Sequence, residues 1–478
     1  MKTLHSLTPL RISFITLGCA KNLIDTEKML ALLVEEGMAL VGSDDQADVA
    51  IINTCGFIAG AREEARENIN YALEQKRNGR IGHVVVAGCL AQYWGEKLAD
   101  EFPGIDAVAG LAARENIAEI VKKTAQRAPV INNQPPPPLI YNEHFNHQIF
   151  NDQVRLRITE PCWAYLRISE GCDSNCTFCT IPAIRGPFRS KPPEAVLAEA
   201  EELVADGAVE LNLIAQETSS YGIDLGDDAQ LAELLRGLNR IEGLRWLRIL
   251  YTHPATVTDA QITAMTQCEK VVPYLDIPLQ HINNRILKLM NRRIDRTRTE
   301  LLLSKLRESI DGLSLRTTML VGFPSETESE FAELLDFVHE FRFEALGCFK
   351  YSAEEHTPAA RIKEQLSEEV KQERLERLML AQQEIAFEHL DSLINNHLDC
   401  LIISDVPPET ITTMELEADR KWFIARHSGQ APEIDSECYI ADDIDSVVES
   451  GDIVSAKIIA SSDYDLIGEI QKGTNNAG

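Results

Sequence analysis

The chain has 478 residues, 44% hydrophobic and 25% charged, which excludes a disordered or fibrous protein and exceeds what one hydrophobic core serves, so roughly two to four domains are expected. Its 75 acidic residues outnumber 46 basic ones, for a net charge of -29. An extended basic surface for nucleic acid is therefore not the default expectation, and a basic partner fits better.

The opening "MKTLHSLTPLRISFITLGCA" joins an early lysine to apolar residues and a Leu-Gly-Cys, as a lipoprotein signal does, but Pro9 and Arg11 interrupt the apolar run. No later segment approaches the roughly 18 uninterrupted apolar residues of a membrane span. We expect a cytoplasmic protein without a membrane partner, whose eleven cysteines serve as thiols, metal ligands or cluster ligands rather than disulfides.

Residues 1–127 alternate two periods. "RISFITLGC" reads as an apolar strand and "NLIDTEKMLALLVEEGM" has helical spacing; "ADVAIINTC" leads into "AREEARENINYALEQKR", and "HVVVAGC" into "QYWGEKLADEF". This βαβαβα pattern predicts an α/β domain with a parallel sheet. Each strand ends in a cysteine: Cys19, Cys55 and Cys89. The carboxyl edge of an open parallel sheet is where ligands bind, so thiols 36 and 34 residues apart can meet at one spot. One such cysteine reads as a small buried hydrophobe; three at equivalent ends favour a shared ligand.

Residues 128–153 follow, with four consecutive prolines and an Asn-rich flank. Extended polyproline geometry without an apolar period predicts a linker or surface strap. His144 and His147 have a metal-like spacing, but solvated loop histidines are the simpler expectation.

From 154 to 390 the strand-like runs are "AYLRIS", "ELNLIAQE", "LRWLRILY", "VVPYLDIPL", "LRTTMLVGF" and "EALGCFKYS", separated by amphipathic helical stretches. Six repeats predict a parallel α/β barrel, complete or partial. Cys172, Cys176 and Cys179 follow the first strand as C-x3-C-x2-C, in the loop at its carboxyl end, where chemistry sits in such barrels. A structural zinc site wants four protein ligands in paired short spacings, and no second pair follows here. A 4Fe-4S cube held by three thiolates leaves one iron for a substrate. That open iron suits reductive cleavage of S-adenosylmethionine, and the resulting radical suits an unactivated C–H bond beyond the reach of a side-chain base.

C-x3-C-x2-C after the first strand of a six-fold β/α series resembles the radical S-adenosylmethionine (SAM) superfamily. With the three-cysteine domain ahead of it, nearly the whole chain resembles the methylthiotransferases, which replace C–H with C–S–CH3 using two 4Fe-4S clusters and two SAM molecules. The resemblance implies that Cys19, Cys55 and Cys89 hold the auxiliary cluster associated with sulfur delivery, and that Cys172, Cys176 and Cys179 hold the radical-generating one. It further implies that the two triads face each other. "LGCAKNLIDTE", "NTCGFIAGAREEA", "AGCLAQYW" and "EGCDSNCTFCTIPAIRGPFRS" resemble the RimO-type branch, as do "YLDIPLQH", "LKLMNRR", "VGFPSETESEF" and "KYSAEEHTPAA". That branch modifies an aspartate β-carbon on the small-subunit ribosomal protein numbered twelve. Three residues depart from its pattern: Thr26 where serine is usual, and Ser325 and His356 where glycine is usual. They put local loop geometry in question, not the cluster cysteines.

Residues 391–478 contain short β-type runs and turn residues that predict a small β-barrel, and they resemble a TRAM domain, normally an RNA-binding module. This stretch has 18 acidic and 5 basic residues, so RNA contact through it is disfavoured and a basic ribosomal protein, free or within the ribosome, is the better partner. Acidity that merely aids solubility is the plainer alternative.

By family analogy Gln216, Glu217, Asp276, Gln280 and Gly322, at strand ends on the cofactor edge, contact SAM; polar satisfaction at strand ends is the alternative. Arg185 and Arg189 would pair with cofactor or target carboxylates, or with acidic neighbours. Cys162, Cys268, Cys348, Cys400 and Cys438 read as packing residues. The resemblance also implies an electron donor, such as a flavodoxin or ferredoxin, and a sulfur donor. The competing functions are a MiaB-like tRNA adenosine methylthiotransferase and a non-enzymatic metal or Fe-S scaffold.

Overall fold

The first strands form because β-branched and aliphatic runs can be buried on both faces of a parallel sheet. The computed structural model describes residues 8–42, 45–127, 136–143, 150–226 and 230–471. Its first sheet comprises β1 (Arg11–Thr16), β2 (Ala39–Val41), β3 (Ala47–Thr54), β4 (Ile81–Gly88), β5 (Ala107–Ala109) and β6 (Leu139–Tyr141), in the order β2-β1-β3-β4-β5-β6 with all neighbours parallel. Alternate residues feed two cores. Val49, Ile51 and Val85 pack with Leu33 and Val121 on one face, while Ala50, Ile52, Val84 and Val86 pack with Ile69 on the other. The helices that cover these faces include α1 (Ala20–Glu35) and α2 (Ala59–Arg77); a short α3 (Cys89–Trp94) follows β4.

The three predicted strands are β1, β3 and β4, and the short β2, β5 and β6 extend the sheet at its edges. The sixth lies inside 128–153, where Leu139–Tyr141 pairs with β5. His144 and His147 lie outside the described residues.

Two compact units divide the chain. The described residues of Met1–Ile158, Ser169–Lys191 and Glu354–Thr357 form the first, and those of Thr159–Ile168, Pro192–Ala353 and Pro358–Gly478 form the second. The C-x3-C-x2-C loop thus packs in the same unit as Cys19, Cys55 and Cys89. It is closed at its base by the two-residue strands β8 (Ser169–Glu170) and β9 (Arg189–Ser190).

In the second unit six parallel strands, β7 (Trp163–Arg167), β10 (Glu210–Ile214), β11 (Trp246–Ile249), β12 (Val271–Asp276), β13 (Ser314–Val321) and β14 (Ala345–Lys350), stand in the order β14-β13-β12-β11-β10-β7. The sheet is open, so the barrel is partial. Leu211, Leu213, Leu247, Ile249, Leu275 and Leu315 join the apolar core. The alternate residues Glu210, Asn212, Arg248, Tyr274, Asp276 and Arg316 point the other way, by the two-residue period of a strand. The inner face is therefore polar.

After the helix Glu368–Leu393 come β15 (His397–Asp405), β16 (Lys421–His427), β17 (Cys438–Asp442), β18 (Ile453–Ser462) and β19 (Asp465–Ile470), which close a barrel in the order β15-β16-β17-β19-β18. Its β16 and the β16–β17 loop meet the polar inner face of the larger sheet. Arg426 pairs with Glu210, which also accepts from Arg248 Nε at 2.9 Å. Tyr165 donates to Glu433 at 2.9 Å and Tyr274 to Asp435 at 2.7 Å. Both phenols stay protonated because burial, then the neighbouring carboxylate, pushes their pKa up.

Candidate functional site

β1, β3 and β4 are adjacent in the first sheet, so the segments leaving their carboxyl ends emerge side by side. Cys19 is the N-cap of α1, Cys55 follows Thr54 at the end of β3, and Cys89 opens α3. Gly18, at φ +99, passes so close to Cys55 that a Cβ there would lie 2.7 Å from the cysteine's own Cβ. Asn22 ties the segments together. Its side-chain amide donates to the carbonyls of Leu17 (2.7 Å) and Thr54 (3.1 Å), and its Oδ1 faces Cys89 Sγ at 3.6 Å. Thr26 supplies the hydroxyl a serine would, accepting from Asn53 Nδ2 at 2.9 Å.

The three thiols differ electrostatically. Burial pushes Cys89 up to about 12 despite the opposing pull of Arg185. Burial also raises Cys55, against the Phe57 amide. At Cys19 burial acts in the same direction, but Lys21, Arg185 and the backbone amides of Asn22 and Lys21 outweigh it and bring the thiol below its usual value. Cys19 keeps solvent contact at the residue level even though protein atoms crowd its sulfur. Three thiolates here repel one another, and a polycationic centre removes that cost.

In the second cysteine loop Gly171 turns the chain at φ +77 and Asn175 at φ +50. Backbone amides meet the sulfurs: Ser174 N–H donates to Cys172 Sγ and Ile181 N–H to Cys179 Sγ, each at 3.4 Å. Such hydrogen bonds stabilise thiolates and tune cluster potentials. The short helix Ile181–Arg185 begins directly behind Cys179 and ends on a guanidinium that lies 2% exposed. Arg185 donates to Cys89 Sγ at 3.3 Å, to Asp25 Oδ2 at 2.9 Å and to Glu170 Oε2 at 3.1 Å. The two triads therefore share one unit, and one short helix touches a sulfur of each, through Ile181 N–H at Cys179 and Arg185 at Cys89.

Behind Arg185 an ion network continues. Asp25 Oδ1 accepts from Arg114 at 2.9 Å, Arg114 also donates to Asp152 at 2.8 Å, and Lys191 reaches Asp152 at 2.6 Å. Sequence reasoning missed Asp25, Arg114, Asp152 and Lys191, although "NLIDTEK" places a carboxylate where the helical period expects burial. Arg189, expected to meet cofactor or target carboxylates or acidic neighbours, donates to the carbonyls of Pro187 (2.6 Å) and Arg185 (3.2 Å).

The five strand-end residues all fall in the second unit. Gln216 and Glu217 follow β10, and the Glu217 carboxylate accepts from Ser220 and, at 3.0 Å, from Thr256. Asp276 ends β12; its carboxyl is raised by burial, against Arg316 at 3.0 Å and the Tyr251 amide at 3.0 Å. Gln280 bridges to Met319 with φ +74, and Gly322 follows β13 with φ +72. Tyr251, at φ +61, adds a third left-handed backbone on the same edge. Two of these three, Gln280 and Tyr251, are non-glycine residues holding left-handed backbone at the barrel's carboxyl edge.

Among the described residues no three His, Cys, Asp or Glu side chains converge as ligands of a single ion. A 4Fe-4S cube needs no such convergence, because its thiolates bind different irons. The all-thiol donor sets, the amide–sulfur contacts and the nearby guanidinium fit such a cube better than a lone cation.

A three-cysteine parallel domain, a partial β/α barrel opening on C-x3-C-x2-C and a closed five-stranded barrel together define a radical SAM methylthiotransferase. The chain matches Uncharacterized protein family UPF0004 over residues 11–110, the Radical SAM superfamily over 166–338 and the TRAM domain over 411–470. It is 42% identical over 460 residues to the "Ribosomal protein uS12 methylthiotransferase RimO" of Geobacter sulfurreducens, covering 96% of this chain and 98% of that one. The same-named protein of Clostridioides difficile is 39% identical over 465 residues, covering 96% and 99%. The chain belongs to the RimO family, and as a radical SAM enzyme it uses an iron–sulfur cluster and SAM. Among solved structures, the radical SAM methyltransferase TsrM of Kitasatospora setae shares the fold at a TM-score of 0.51 and 15% identity, over 73% of this chain and 77% of that one. No helix among the described residues is long and apolar enough to cross a membrane.

Proposed function

We propose that this chain places a methylthio group on the β-carbon of an aspartate of ribosomal protein uS12, using two 4Fe-4S clusters and two molecules of SAM. Carrying this reading are the three cysteines at the carboxyl ends of three adjacent parallel strands, in the unit that also holds Cys172, Cys176 and Cys179. The full-length likeness to proteins named for uS12 supports the substrate. Bound clusters supply the electron for SAM cleavage and the site of sulfur attachment.

The chain's residues have the supporting roles. Amides of Ser174 and Ile181 hold the sulfurs of the radical-generating loop, Arg185 holds Cys89, and Gln216, Glu217, Asp276, Gln280 and Gly322 contact SAM along the strand ends. The electron arrives from a flavodoxin or ferredoxin and the sulfur from a separate donor. With 18 acidic and 5 basic residues, the C-terminal barrel attracts a basic protein.

The test is iron and acid-labile sulfide per chain after anaerobic reconstitution, with mass spectrometry of uS12 and of total tRNA after reaction. About eight irons in the parent, and about four in each of Cys19→Ala/Cys55→Ala/Cys89→Ala and Cys172→Ala/Cys176→Ala/Cys179→Ala, are expected. Methylthio-aspartate on uS12 completes the expectation. About four irons in the parent, lost only with the Cys172 triad, or product on tRNA instead, overturns it.

A further inference from the structure

Among the buried cationic side chains of the first unit is Arg185, one of whose acceptors is a thiol. Its Nη2 lies 3.3 Å from Cys89 Sγ, 2.9 Å from Asp25 and 3.2 Å from Asn22 Oδ1, while Nη1 faces both oxygens of Glu170 at 3.3 and 3.1 Å. The guanidinium is locked from every side. Its own segment is equally fixed: Ile181 N–H sits on Cys179 Sγ, Ala183 and Ile184 hydrogen-bond back to Thr180, and Ile184 packs with Cys89, Leu111 and Tyr93.

One rigid helical turn therefore begins on a sulfur of one triad and ends on a sulfur of the other. A buried positive charge beside a ligating thiolate favours the more negative, reduced state of a cluster, and a hydrogen bond to the sulfur acts in the same direction. The carboxylates of Glu170 and Asp25 oppose it. Removing one of them strengthens the net positive field on Cys89 without touching the thiol contact.

We propose that Arg185 is the positioning residue that sets the reduction potential of the Cys19/Cys55/Cys89 cluster, through its bond to Cys89, and keys that cluster to the loop holding the radical-generating one. The proposal rests on the reading that those three cysteines hold a cluster. It assigns Arg185 to the enzyme's own electrostatics rather than to contact with cofactor or substrate.

The experiment uses the full chain with Cys172→Ala/Cys176→Ala/Cys179→Ala, so that one cluster remains, and measures its midpoint potential by EPR-monitored titration in Arg185→Gln, Arg185→Lys and Glu170→Gln backgrounds. Arg185→Gln is expected to lower the potential, Arg185→Lys to restore part of the shift, and Glu170→Gln to raise it. These opposite signs separate an electrostatic role from a packing role. If Arg185→Gln fails to retain iron, the Glu170→Gln shift decides: a rise supports the proposal, and an unmoved or lowered potential overturns it. Iron retained with unchanged potential in both Arg185→Gln and Glu170→Gln also overturns it. A parent chain without iron at this triad overturns the functional reading, and the proposal with it.

Discussion

Glu210 is buried between two guanidiniums, with Arg248 Nε on one carboxylate oxygen at 2.9 Å and Arg426 on the other. All three residues are at most 3% exposed. A contact pair at an effective dielectric near 20 is worth about 4 kcal/mol, and two like charges at roughly twice that separation repel by about 2 kcal/mol. Arg426→Met removes one attraction and relieves one repulsion, so it should cost about 2 kcal/mol. Glu210→Gln strands both guanidiniums, and breaking buried pairs in this way costs about 5 kcal/mol. The double variant keeps Arg248 beside a neutral amide but loses the repulsion, and should recover about 2 kcal/mol relative to Glu210→Gln alone. Urea unfolding of the full chain, followed by the fluorescence of buried Trp246 and Trp422, measures all three. Burial pushes the Glu210 carboxyl up, but Arg426 and then Arg248 bring it below its usual value. The ion pair's contribution is therefore complete above the unfolded carboxylate pKa of about 4.3 and is lost as pH falls through the lower folded value. The parent's lead over Arg426→Met should thus hold at pH 7 and narrow below about pH 4. A double variant no more stable than Glu210→Gln would refute the reasoning.

Gly171→Ala places a Cβ 2.0 Å from the Pro187 carbonyl oxygen at a backbone φ of +77; about four irons should be lost from the parent's content on reconstitution, with the Cys19 triad's share retained. His356 is exposed with φ +72, a conformation that costs an L residue roughly 1–2 kcal/mol. His356→Gly relieves this against about 0.5–1 kcal/mol of added unfolded-state entropy, so thermal unfolding should show a net gain of about 0.5–1 kcal/mol.

The placement of the six candidate cysteines could be read from the sequence because each stands at a strand end or within one short loop, where position along the chain fixes position in space. The six central strands were legible from their apolar runs, but β2, β5 and β6 were not, since three residues carry no period. Their place follows from pairing with longer neighbours. At the departures from family pattern, Ser325 takes φ +66 and His356 φ +72, the backbone region that favours glycine, and Thr26 offers a hydroxyl that accepts from Asn53. The polar inner face had a signal that the search for apolar runs passed over. Glu210 in "ELNLI", Arg248 in "WLRI" and Arg316 in "SLRTT" are charges inside core strands, and a charge there requires a partner. That the partner would come from "FIARHSGQAPEID" was not readable, because Arg426 lies 216 residues from Glu210. The contacts of Arg185 were hidden for the same reason, with Asp25 and Cys89 lying 160 and 96 residues away.

The same ion pairs sharpen the case for a basic protein partner. Of the five basic residues in 391–478, Arg426 is turned inward onto Glu210, Arg420 lies 3.2 Å from Glu469, and Lys421 lies 3.8 Å from Asp405. Three of the five cations that a phosphate backbone would need are thus matched by this unit's own carboxylates, and engaging those three with RNA would first have to break the pairs. Binding of a basic protein to the surplus carboxylates would leave those pairs intact. The inward turn of Arg426 anchors the barrel to the larger sheet through Glu210, and the barrel's excess of acidic residues would favour a basic partner.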